Sequence, residues 1–233
     1  MITRPGTVSL NRRLSAFFLL LPCLLLAPVT LHASEGPVAR IVAREPLTAA
    51  PAPATATHTL QLTLLDVGGW SPAAIAGITQ QGSRLLMQCH IATTAIELLS
   101  IEVDDFHQDF ETQRSRRLAA ALSPGRPAVF FVRDSLQRPA FDAEAIGRGN
   151  SRRRPELRDT VWITRGTRDA AIAFAHELVH VLMNSGEHDE TPGNLMNSDT
   201  RPDNTQLTPA QCALIRGNGE GHGLLRPLTG HSP

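Results

Sequence analysis

Residues 174–196 read FAHELVHVLMNSGEHDETPGNLM, and His176-Glu177-Leu178-Val179-His180 within them set two imidazoles around one carboxylate. On a helix, residues four apart share a face, so His176 and His180 can reach a single ion. Glu177 is the next residue round from His176, beside the open side of that ion. A zinc ion on two or three neutral imidazoles lowers the pKa of its bound water towards neutrality. A carboxylate next to that water can take its proton and pass it to a leaving amine. The pentapeptide thus offers two metal ligands and a general base in one helical turn.

Zinc needs a third protein ligand, and His188 follows shortly afterwards. Gly186 precedes it, a residue that can end a helix in the left-handed conformation and turn the chain back. Asp189 and Glu187 are the competing ligands. Beyond them, Pro192-Gly193-Asn194-Leu195-Met196-Asn197 is a turn carrying two apolar side chains. Helix, glycine turn, third histidine and Met-bearing turn, in that order, resemble the metzincin clan of zinc peptidases. The resemblance implies that Met196 lies in the Met-turn beneath the metal and that the site opens onto a peptide-binding cleft. The clan's motif places glycine three residues after the second histidine and the third ligand three residues later. Met183 and Gly186 occupy those positions here and His188 comes two residues late, which reads as a slightly longer active-site helix. Some metzincins use a tyrosine near the Met-turn to assist at the metal. This chain has no tyrosine, so an oxyanion would be held by zinc, backbone amides or another donor.

The elements that must position these residues follow from the N-terminus onward. Arg12 and Arg13 precede an apolar run over residues 16–31, broken by Pro22 and Pro28 and short of the ~20 residues a spanning helix needs. Leu31-His32-Ala33 ends it like a cleavage site, so residues 1–33 read as a secretory signal peptide, with Ser34 as the mature start and no stable membrane insertion after cleavage. Removing three of the 22 arginines leaves 19 basic against 22 acidic residues, a formal charge near −3. No strongly basic field exists to attract nucleic acid. Residues 34–57, rich in Ala, Pro and Thr, read as an unordered linker or short pro-segment.

The folded domain is expected over residues 58–218, with a flexible polar tail at 219–233. Residues 60–67 read as a first strand. Ser71 and Pro72 signal a helix running to about Gln88. A second strand is expected at 95–103, a helix at 106–122 and a buried strand at 127–132. The cluster Ser151-Arg152-Arg153-Arg154-Pro155 reads as a solvated loop. The strand at 160–164 leads into the active-site helix, with Thr167 as its cap and Asp169 near its positive end. Thr208-Pro209-Ala210-Gln211 is a capping-box pattern for a C-terminal helix closed by Gly217. His222 and His231 lack regular spacing and read as non-ligands. This is a mixed α/β (α+β) order. The metzincin resemblance implies a twisted sheet with a long first helix, an active-site helix and a C-terminal helix.

Cys23 leaves with the signal, and the remaining pair, Cys89 and Cys212, suggests a disulfide in an exported protein. Together these features point to a secreted or periplasmic zinc endopeptidase acting on a peptide or protein substrate, with His176, His180 and His188 as ligands and Glu177 as base. A zinc hydrolase of another amide, such as a cell-wall peptide, would use the same chemistry. A non-catalytic metal-binding protein would have no need of Glu177.

Overall fold

A computed structural model describes residues 38–228. The signal peptide, the Ser34 start and His231 lie outside those residues. A mixed sheet runs in the order β1-β3-β2-β4-β6-β5, with β7 added to β2. Its strands are β1 (Ala39–Leu47), β2 (His58–Asp66), β3 (Ile91–Val103), β4 (Ala128–Val132), β5 (Ala143–Ile146), β6 (Thr160–Thr164) and β7 (Leu225–Pro227). The helices are α1 (Pro72–Leu86), α2 (Thr112–Leu122), α3 (Ala170–Met183) and α4 (Pro209–Gly221). The central strands β3, β2, β4 and β6 run parallel, while β1, β5 and β7 pair antiparallel.

Every residue of β4 (AVFFV) and β6 (TVWIT) is buried, because both sheet faces are covered. The period of two divides them between two cores. Val129, Phe131, Val161 and Ile163 join Phe174, Leu178 and Leu182 of α3. Phe130 and Trp162 face the other way with Leu118 of α2, and their rings stack 4.0 Å apart. Helix α3 is therefore pressed onto one sheet face by its own apolar stripe. Against it lies α1, admitted closely because a Cβ at Gly82 would overlap the Phe174 ring.

The helix caps match the sequence at two positions. Ser71 accepts from the Ala74 amide, and Thr208 and Gln211 form the reciprocal capping box. At α3 the cap is Asp169 rather than Thr167, and it caps through its backbone carbonyl, which accepts from Ile172 and Ala173. The Thr167 hydroxyl instead donates to the Asp142 carbonyl.

Three segments differ from the sequence reading. Within residues 34–57, the expected unordered linker, residues 39–47 form the edge strand β1, paired with β3 from Ala39↔Val103 to Leu47↔Ile96. Its order comes from a partner's backbone hydrogen bonds, which an Ala/Pro/Thr-rich composition does not reveal. Helix α4 runs through Gly217 to Gly221, and β7 follows it, so the expected tail from 219 is ordered as far as Leu228. The helix expected at 106–122 begins only at Thr112, where the Glu111 carboxylate accepts from the Gln113 and Arg114 amides.

Cys89 and Cys212 are joined, with Cα atoms 4.9 Å apart and a sequence separation of 123. The link ties the turn that follows α1 to the first turn of α4. Closing so long a loop in the unfolded chain is worth about 4–5 kcal/mol by chain entropy. No helix among the described residues is long and apolar enough to cross a membrane.

Candidate metal centre

Helix α3 carries His176 and His180 four residues apart, both buried. The His176 Nδ1 lies 2.7 Å from the Leu195 carbonyl, and the His180 Nδ1 lies 2.7 Å from the Ser185 carbonyl. A carbonyl oxygen only accepts, so each Nδ1 carries the proton and each neutral ring is left with a lone pair on Nε2. Those lone pairs converge. The two Nε2 atoms are 2.9 Å apart, and the Nε2 of His188 is 3.3 Å from that of His180. His176, His180 and His188 have all their ligand atoms within 4.8 Å of one another. Bare lone pairs this close repel, and a cation at their focus reverses the sign. Three imidazole nitrogens, two with their other nitrogen bonded to a carbonyl, are a donor set that fits a divalent metal such as zinc.

Burial keeps the two helical imidazoles neutral. Burial pushes the His180 imidazole down to about 4, helped by the neighbouring His176, and opposed by its bond to Ser185. Burial also lowers His176. Glu177 goes the other way: burial, and then the charge of Glu144, push it up to about 8, against a hydrogen bond from the Ala145 amide. A metal's positive charge beside it would favour the carboxylate.

The third ligand reaches the cluster by a route unlike the one expected. Helix α3 ends at Met183, three residues after His180, and is not longer than the clan pattern. Asn184, not Gly186, adopts the left-handed conformation, with φ 52°. Asparagine tolerates that region because its short polar side chain finds a local partner. Here its Oδ1 accepts from the Gly149 amide at 3.0 Å. The extra residues before His188 lie in the loop, whose Ser185 carbonyl orients His180.

His188 itself is exposed, and it enters the cluster where Asp189 does not. The Asp189 carboxylate is committed elsewhere: Oδ1 accepts from the Thr191 amide at 3.1 Å, and Oδ2 from Asn194 Nδ2 at 3.2 Å and Gln211 Nε2 at 3.3 Å. Glu187 is exposed, its amide donating to Ser185 Oγ. Asp189 therefore ties the ligand loop to the turn at 192–197 and to α4. Met196 is buried in the core shared with α3, and its carbonyl accepts from the Asp189 amide at 2.9 Å. The residue before it supplies the carbonyl that fixes His176.

The centre opens into a cleft of about 370 Å³ between the end of α3 and β5. Its far wall comprises residues 143–145 with Gly147, Gly149 and Asn150. Arg148 anchors that loop, 3.1 Å from the buried Asp159 and 2.9 Å from the His222 carbonyl. His222 thus contributes through its backbone. A larger cavity of about 560 Å³ lies between residues 47–51 and α1, well supplied with apolar side chains but lined by no histidine, cysteine or carboxylate.

Sequence reasoning missed Glu144, Asn184 and the Asp189-Asn194-Gln211 network. Glu144 sits in a four-residue edge strand too short to register as one. The carbonyls of Leu195 and Ser185 have no side-chain signature at all. Comparisons with protein-family models and with curated proteins find no match for the chain.

Proposed function

We propose that this chain is an exported zinc-dependent endopeptidase of metzincin type. The observation that carries the reading is the convergence of three imidazole lone pairs with a half-buried carboxylate one residue from the first of them. Bound there, zinc would supply Lewis acidity to a water molecule and to the substrate carbonyl. Glu177 would take a proton from the attacking water and return it to the leaving amine. Its partly buried position would strengthen the first of these transfers, because a carboxylate shielded from solvent is the more basic. His176 and His180 keep their lone pairs directed inward throughout, their Nδ1 protons occupied by carbonyls. The end of the sheet at β5 offers an open strand edge along which an extended peptide can pair by its backbone. Met196 and its turn support the ligands from beneath, and the Cys89–Cys212 link suits an oxidising compartment.

Glu177→Ala tests the reading. Zinc should remain bound while peptide hydrolysis falls by ~10²–10⁴-fold. Metal content and turnover of internally quenched peptides check both halves. Wild-type turnover in the variant would remove Glu177 from the chemistry and with it the proposed mechanism, whereas no turnover of any peptide by the wild-type protein would remove the hydrolytic assignment.

A further inference from the structure

Residues 205–207 make a single step of extended chain, and each edge of that step has a partner. On one edge Gln206 meets the turn at 192–197. Its amide donates to the Gly193 carbonyl at 2.9 Å, and its carbonyl accepts from the Leu195 amide at 2.7 Å. Asn194 and Gln206 pair there as an isolated parallel bridge. Neighbouring residues of an extended chain turn their backbone groups to opposite edges, so the Thr205 carbonyl and the Leu207 amide face the other way. What meets them is the side chain of Gln88. Its Oε1 accepts from the Leu207 amide at 2.7 Å, and its Nε2 donates to the Thr205 carbonyl at 3.0 Å.

A side-chain amide carries the donor and the acceptor of a peptide group, so a glutamine can stand where a neighbouring strand would. Gln88 is exposed and free to bond water, yet both its N–H groups go to main chain, the second to the Leu85 carbonyl at 2.7 Å. Its footing is fixed. The turn after α1 that holds it continues into Cys89, which is bonded to Cys212 and whose carbonyl accepts from Arg216 at 3.0 Å.

The step that Gln88 clamps is the one that holds Leu195, and the Leu195 carbonyl lies 2.7 Å from His176 Nδ1. A shift of residues 205–207 would therefore move the oxygen that aims the ring. His180 is aimed instead by the Ser185 carbonyl, in a loop to which Gln88 makes no bond. We propose that Gln88 is a positioning residue for the metal centre, acting through residues 205–207 and the Leu195 carbonyl on the direction of the His176 lone pair. This inference rests on the metal-centre reading for its consequence but not for its test.

The Nδ1 protons of His176 and His180 report the two supports separately. Magnetic resonance resolves them, and their exchange with solvent measures how often each bond to its carbonyl opens. Gln88→Met keeps the length of the side chain and removes all three of its hydrogen bonds. In the disulfide-bonded variant the His176 proton should exchange about tenfold faster, the effect of about one lost hydrogen bond, while the His180 proton keeps its wild-type rate. Zinc affinity should fall severalfold, short of the roughly tenfold that losing a direct outer partner of a ligand costs. An unchanged His176 rate would show that Leu195 is held without Gln88, and equal acceleration of both protons would show general loosening; either would overturn the assignment. Exchange is followed with zinc and without it. A protein that binds no zinc, or cleaves no peptide, would lose the metal or the hydrolase reading, and the two exchange rates would still decide the role of Gln88.

Discussion

The two sides of the metal centre are built on different principles. His176 and His180 ride on α3, a helix buried between the sheet and its neighbours, and each is oriented by a backbone carbonyl. His188 comes from a loop, is exposed, and has no hydrogen bond on its Nδ1 among the described residues. What holds it is one residue further on, where the Asp189 carboxylate grips Thr191, Asn194 and Gln211. The helical side is rigid because its supports are main chain packed in the core. The loop side depends on a small side-chain network at the surface, and it is the side that can give way first.

Removing a ligand from either side should separate the two most strongly. The His180 Nε2 stands between the other two, at 2.9 and 3.3 Å. His180→Ala should therefore abolish stoichiometric zinc binding, whereas His188→Ala should leave a weaker site on the helical pair. Competition with a chelator of known affinity ranks them, and the opposite ranking would break the contrast between core and loop.

Asp189→Ala probes the loop support without touching a ligand. Asp189 bonds no histidine and acts only by holding the loop that carries His188, so zinc affinity should fall by about tenfold, the low end of what losing a direct outer partner costs. Asn194→Ala should fall short of that, since Gln211 still reaches Asp189 at 3.3 Å. If Asp189→Ala matches the wild type, His188 is held by something other than this network.

The smallest effect concerns pH and the metal-free protein. The His180 imidazole is depressed from 6.5 to about 4. Between those values the unfolded chain binds the proton and the folded one does not. This contribution to stability is therefore fully present above pH 6.5 and is lost as pH falls towards 4. The melting temperature of metal-free protein should decline over that window, and the His180→Ala variant should decline less. Parallel profiles would place the acid sensitivity outside the helical side.

Local sequence determined the parts of this protein that obey local rules. Histidines four apart on an apolar helix share a face whatever surrounds them. PAVFFV and TVWIT become buried strands because nothing else accommodates such runs. Ser71-Pro72 and Thr208-Pro209-Ala210-Gln211 cap their helices through contacts three residues long. Cys89 and Cys212 were the pair available to one another. Tertiary structure decided everything that depends on a distant backbone. β1 and β7 are ordered by strands far away in sequence, as is the short β5 that walls the cleft. The turn after α3 passes through Asn184 because Gly149 lies within reach of its side chain. His188 rather than Asp189 enters the cluster because Asn194 and Gln211 claim the carboxylate. A carbonyl has no residue type, so the Leu195 and Ser185 oxygens that direct His176 and His180 could be found only once the chain had folded.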